Sequence, residues 1–149
     1  MFSVDLCLAG LVAESSEEVM RVLGQKLRAA GCVRPTFEMA TLAREKRSPT
    51  GLPFPGQAVA MPHAEPEHVI VPAVAIASLA RPVSFRQMGA PGVKLAVSLV
   101  VMPALTAKEQ AAGELARLVE LLQDEALRCA LGDAQTCNAM YAMLPSSPR

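Results

Sequence analysis

The chain has 149 residues, 52% hydrophobic and only 3% aromatic, which predicts one domain with an aliphatic core of Val, Leu, Ala and Met. Its 14 basic and 14 acidic side chains cancel, which excludes the electrostatic footprint of a nucleic-acid binder. The longest apolar stretch, residues 95–105, is interrupted by Ser98 and Pro103 and is far too short to cross a membrane, so direct membrane insertion is not expected.

In chain order, residues 3–13 read as a strand. The apolar run 6–13 imitates a secretory core, but no Lys or Arg precedes it and Asp5 sits at its edge, so a cytoplasmic protein is expected. Ser15 and Glu18 stand at capping-box spacing and open a helix with Val19, Val22, Leu23 and Leu27 on one stripe, stopped by Gly31. Pro35 starts a second helix that runs to Arg47 with Phe37 and Ala40 facing inward. After a Gly/Pro-rich loop, residues 58–61 form a short buried strand. Residues 74–79 form another, residues 82–88 an irregular segment, and residues 93–102 a central β-branched strand ended by Pro103. Thr106 and Glu109 make a second capping box and open the longest helix, with Leu115, Leu118, Val119 and Leu122 on its apolar stripe. A short helix over 124–131 closes at Gly132, Thr136 caps a last helix to Met143, and residues 145–149 fray. Helices alternating with short apolar strands predict an α/β fold: a single domain over 1–149, a mixed β-sheet flanked by helices on both sides.

The stretch 50–71 carries the chemistry. It holds both histidines, His63 and His68. Pro62 stops the preceding strand and puts His63 just past its end, between two prolines (Pro62 and Pro66) and downstream of the basic cluster Arg44, Lys46 and Arg47. A fixed backbone with cations nearby suits an imidazole that handles an anion. A neutral imidazole attacks a phosphoryl group near pH 7 if one ring nitrogen is held by a hydrogen bond so that the other faces outward, and if donors meet the phosphoryl oxygens. The carboxylates Glu65 and Glu67 would repel a phosphoryl group and are expected to point outward. His68 is either a second imidazole beside the site or an exposed loop residue.

Arg44-Glu45, then Thr50-Gly51, then Val59-Ala60-Met61-Pro62-His63 resembles the enzyme IIA domain of the fructose/mannitol/galactitol type in the bacterial phosphoenolpyruvate-dependent sugar phosphotransferase system. The continuation Glu65-Pro66-Glu67-His68-Val69 is most similar to the galactitol branch, and the resemblance covers nearly the whole chain. It implies a mixed sheet with helices on both sides, and a phosphocarrier that takes a phosphoryl group from HPr on His63 and gives it to a cysteine of enzyme IIB. Through that protein it would serve a membrane IIC permease. No cofactor or metal is implied, since the phosphoryl group rides covalently on His63. Arg44 would steady phosphoryl oxygens, with His68 as a possible auxiliary. Thr50 and Gly51 would shape the turn, with the Thr50 hydroxyl or a backbone N–H able to touch the phosphate. Without a functional role, Arg44 would be a helix C-terminal cation with Glu45 an exposed neighbour. Many fructose/mannitol-type members carry a second histidine near the start of the helix after the central strand. Here Gln110 or Ala111 stands in its place.

A non-catalytic domain that has lost transfer competence is one alternative, because of the missing second histidine, and two other readings use the same residues. One is a regulatory relative, like the nitrogen-type enzyme IIA, whose phosphorylation state controls partner proteins. The other is a small metal module built from His63, Glu65, Glu67 and His68, against which Pro66 and the lack of Cys/His spacing argue. Cys7, Cys32, Cys129 and Cys137 form no C-x-x-C pair and sit among apolar neighbours, so all are expected as packed free thiols; Phe54 is expected to anchor its loop and the eight methionines to fill the core.

Overall fold

The computed structural model describes residues 1–145. The fraying expected for 146–149 lies outside the described residues. β1 (Phe2–Leu11) runs parallel to the first half of β4 (Ala73–Gln87), which turns into antiparallel β5 (Ala90–Ala104). β5 is central: its other edge takes β3 (Ala58–Ala60) in parallel, and β3 pairs antiparallel with β2 (Gly51–Leu52). One further parallel link, Gly51 to Gln87, returns β2 to the far end of β4.

Side chains alternate across this sheet as the pleat requires. Ala73, Ala75 and Ala77 present a flat face to Val19, Leu23 and Leu27 of α1 (Ser16–Ala29) and to Phe37 of α2 (Phe37–Arg47). Val74 and Ile76 point the other way, into a second cluster. That cluster is completed by Leu118 and Leu122 of α4 (Glu114–Leu122), Leu131 of α5 (Glu125–Asp133) and Met140 of α6 (Cys137–Ala142). The mixed sheet with helices on both sides is therefore the fold. Each fully buried Leu or Val in these two layers contributes about 1.5–3 kcal/mol.

Several local expectations are corrected. Residues 82–88 are not an irregular segment: β4 continues through them to Gln87, and Met88 begins the turn to β5. Its pairing jumps from Ser78–Leu99 to Val83–Val97, and Pro82 sits in that bulge, where a missing N–H breaks no ladder bond. Pro103 does not end β5 either; it pairs with Val74, and past Val100 the strand has lost β3 on its other edge. The helix after β5 is not the longest. It breaks at Gly113, whose φ of 80° is left-handed, into α3 (Ala107–Ala111) and α4, leaving the 14-residue α1 as the longest. Gly132 lies inside α5 rather than closing it. Arg128 and Leu131 take the buried face of α5, so Cys129 is exposed rather than packed, while Cys7 is buried and all four thiols are free. Met20, Met61, Met102 and Met140 fill the core, but Met39 and Met88 are exposed. No helix among the described residues is long and apolar enough to cross a membrane.

Candidate active site

The site is built outward from the end of α2. Glu45, on its last turn, reaches back to the loop, and its two carboxylate oxygens accept from the Thr50 amide (3.1 Å) and the Thr50 hydroxyl (2.8 Å). Glu45 is thus half-buried and engaged, not an exposed neighbour. Burial raises its pKa above the ordinary carboxylate value, opposed by the Thr50 bonds and by the charge of Arg44. Thr50, 1% exposed, in turn accepts the Met61 N–H on its hydroxyl oxygen (3.2 Å) and more weakly on its carbonyl (3.4 Å). Both Thr50 donors therefore face Glu45, so its part in this arrangement is to shape the loop. Gly51 has a clear reason to be glycine. A Cβ there would stand 2.5 Å from the Arg86 carbonyl oxygen, in the backbone of β4.

Met61 passes this rigidity to His63. Its carbonyl lies 2.8 Å from His63 Nδ1. A carbonyl can only accept, so Nδ1 carries the proton and Nε2 holds the free lone pair. His63 is 8% exposed. Burial lowers its pKa below the ordinary histidine value; the Met61 bond and Glu65 oppose this, and the nearby Arg44 charge reinforces it. The ring is therefore neutral at pH 7, in the tautomer that a nucleophile needs.

Arg44 faces the same loop from α2. Its Nε donates to Glu65 Oε1 at 3.1 Å. Glu65 thus does not simply point away, as expected; it holds the guanidinium while staying mostly exposed itself. Among the described residues the Arg44 side chain forms no other hydrogen bond, so its two terminal nitrogens are open to an anion.

His68 has a different job in the structure. It ends the 3-10 turn Pro66–His68, and its Nδ1 lies 2.8 Å from the Thr36 hydroxyl at the start of α2. The Arg34 amide donates to the His68 carbonyl (2.9 Å), Arg34 Nε to the Glu67 carbonyl (3.1 Å), and Ile70 N–H to the Cys32 carbonyl (2.8 Å). The loop after His63 is thereby latched to the α1–α2 connection. α3, which carries Gln110, packs beside the same turn. On the other flank, Phe54 is an anchor: the buried Arg128 guanidinium lies 4.6 Å from its ring centroid and donates to the Pro55 carbonyl (3.0 Å). Sequence reasoning missed Arg128 entirely. An arginine inside an apolar helical stripe was its only signal. With His63 on Met61, Glu65 on Arg44 and His68 on Thr36, the four loop residues of the metal reading do not converge. Among the described residues no cluster of three or more His, Cys, Asp or Glu side chains is placed to hold an ion.

Residues 1–147 match the family described as phosphoenolpyruvate-dependent sugar phosphotransferase system, EIIA 2. The chain belongs to that family. The galactitol-specific EIIA component of Escherichia coli K12 is 32% identical over 93 residues, which are 62% of this chain and 61% of that relative. The chain thus aligns with somewhat under two thirds of the curated relatives it matches. The enzyme IIA of the mannitol system from Escherichia coli, in its complex with phosphorylated enzyme IIB, has a TM-score of 0.79 at 24% identity, covering 96% of this chain and 97% of that one. The nitrogen regulatory protein IIA-Ntr from Neisseria meningitidis has a TM-score of 0.73 at 22% identity, covering 95% and 94%. These two likenesses establish a shared EIIA fold, and the family is one of phosphocarriers.

Proposed function

We propose that this EIIA domain carries a phosphoryl group on Nε2 of His63, taking it from the phosphohistidine of HPr and giving it to a cysteine of a sugar or sugar-alcohol enzyme IIB. The observation that carries the reading is the Met61 carbonyl on His63 Nδ1, which leaves Nε2 as the nucleophile. In the first transfer the Nε2 lone pair bonds to phosphorus. The donor's P–N bond breaks and its electron pair returns to the donor imidazole. Nδ1–H stays on the Met61 carbonyl throughout, so the positive charge of the phosphoimidazolium is stabilised by an acceptor already in place. Arg44 closes its terminal nitrogens on the phosphoryl oxygens while Glu65 keeps it in position. In the second transfer a thiolate attacks phosphorus, and the P–N electron pair returns to Nε2. No metal or cofactor takes part in either step.

The galactitol-specific relative favours a transport role over the regulatory one; the mannitol and nitrogen-type neighbours, at 24% and 22% identity, share the fold alone. A cytoplasmic location follows from these partners, and the membrane IIC permease is reached only through enzyme IIB. The test is intact mass after incubation with phosphoenolpyruvate, enzyme I and HPr. An acid-labile gain of one phosphoryl group is expected, absent in His63→Ala and retained in His68→Ala. No gain with active donors would sink the reading, and a gain retained by His63→Ala would move the carrier to another residue.

A further inference from the structure

Behind the active-site turn lies a cleft of about 450 Å³, between the start of α1, the end of α2 and the β4–β5 ribbon. Its size is that of a small-molecule site. Three cations line it: Lys46 from α2, Arg86 from β4 and Lys94 from β5. Arg86 and Lys94 are directly opposite one another in the antiparallel ladder. Like charges in that position repel and weaken a sheet. Among the described residues none of the three forms an ion pair. The fold thus holds two exposed cations opposite one another and a third, also exposed, on the lining of the same cleft, none of them ion-paired. An anion that enters the cleft relieves this repulsion.

The rest of the lining narrows the ligand. The hydroxyls of Ser16 and Ser84 and the carboxylate of Glu17 offer donors and acceptors for hydroxyl groups, and Leu42 and Phe85 contribute an apolar wall. Two carboxylates, Glu17 and Glu45, share the cleft with the three cations, which disfavours a bare polyanion and favours one phosphoryl group joined to a polyol. We infer that this cleft binds a small phosphorylated polyol, with its phosphoryl group between Arg86, Lys94 and Lys46 and its hydroxyls on Ser16, Ser84 and Glu17. Its floor is shared with the site. Glu45 lines the cleft and holds Thr50, and the Arg86 carbonyl packs on Gly51. Occupancy therefore bears on the turn that leads through Met61 to His63.

The inference rests on the cleft and is read by binding alone, so it stands or falls separately from phosphoryl transfer. The full chain, labelled with ¹⁵N, is titrated in parallel with glucitol 6-phosphate, inorganic phosphate and free glucitol. Glucitol 6-phosphate should give saturating shifts centred on the amides of Ser16, Ser84 and Lys94 and extending to Thr50 and Gly51. The other two should bind at least about tenfold more weakly. The double variant Arg86→Gln, Lys94→Gln should weaken binding by about tenfold or more while its Tm holds or rises, because a repulsion has been removed. Shifts that do not saturate, shifts centred on His63 and Arg44, or unchanged affinity in the double variant would each overturn the site. Equal binding of inorganic phosphate would overturn the polyol assignment. A lower Tm in the double variant would make the pair structural and count against the inference.

Discussion

His63 and His68 lie five positions apart in one loop, and each has its Nδ1 2.8 Å from an oxygen. The oxygens differ, and that decides what each ring can do. Met61 offers a carbonyl, which can only accept; it fixes the tautomer of His63 and leaves a lone pair at Nε2. Thr36 offers a hydroxyl, which can donate or accept, so the His68 tautomer is not fixed by its partner. His63 is also buried, at the end of a chain of bonds from Glu45 through Thr50 to Met61, whereas His68 ties two surface segments together. A histidine becomes a prepared nucleophile through what its other nitrogen touches, and through how firmly that partner is itself held.

The chain of support can be broken at its base. Gly51→Ala forces a Cβ against the Arg86 carbonyl, in backbone that has no side-chain freedom to yield. The expected cost is about 1–3 kcal/mol, with a matching loss of phosphoryl transfer as the turn shifts. Urea unfolding and the initial rate of mass gain measure the two. A variant as stable and as fast as the parent would show that the turn does not transmit to His63. Glu45→Gln is subtler. The amide keeps one acceptor for Thr50 but turns an NH₂ towards the other Thr50 donor, leaving a buried donor unpaired at a cost of about 1–3 kcal/mol. Transfer should slow while the His63→Ala background shows the same stability loss. Equal rates in Glu45→Gln and parent would reduce Glu45 to a helix-end residue.

How much of this was legible without coordinates follows the same divide. The strand, Pro62 and His63 could be read because Pro punctuates a chain locally, and α1 and α6 could be read because Ser15 and Thr136 cap them by short-range bonds. The continuity of β4 and β5 through Pro82 and Pro103 could not. It depends on which edge is paired at each proline, a property of the partner strand. Arg44 and Thr50 could be named as candidates from the sequence, but the work of Glu45 and the Arg44–Glu65 pair could not, since the partners of a side chain across a loop are set by tertiary placement. Arg128 was invisible for the same reason: a buried arginine is tolerated only where carbonyls such as those of Leu122 and Pro55 converge on it.

Titration sharpens the contrast between the two rings. The His63 pKa is lower in the folded chain than in the unfolded one, so between the two values the unfolded state binds more protons. Stability therefore falls as pH drops below about 6.5, the ordinary histidine value, towards the folded value, and is unaffected by this group above it. The acid limb of the transfer rate should likewise lie below pH 6.5, because only neutral His63 attacks. Ring ¹⁵N shifts at pH 7 should show His63 with its proton on Nδ1. A proton on Nε2 would contradict the role assigned to Met61, and a midpoint above the ordinary value would contradict the dominance of burial.

The smallest effect is expected at the latch. Thr36→Ala removes the hydroxyl partner of the half-buried His68 but leaves the backbone bonds from Arg34 and Ile70 that hold the loop, so the loss should be about 0.5–1.5 kcal/mol. Mass gain on His63 should persist at a rate within a few-fold of the parent, since no bond in the path from Glu45 to His63 passes through Thr36 or His68. A collapse of transfer with stability intact would be the informative surprise. It would mean that His68 reaches the phosphoryl group when His63 is loaded, and that its bond to Thr36 holds an auxiliary imidazole ready for that moment.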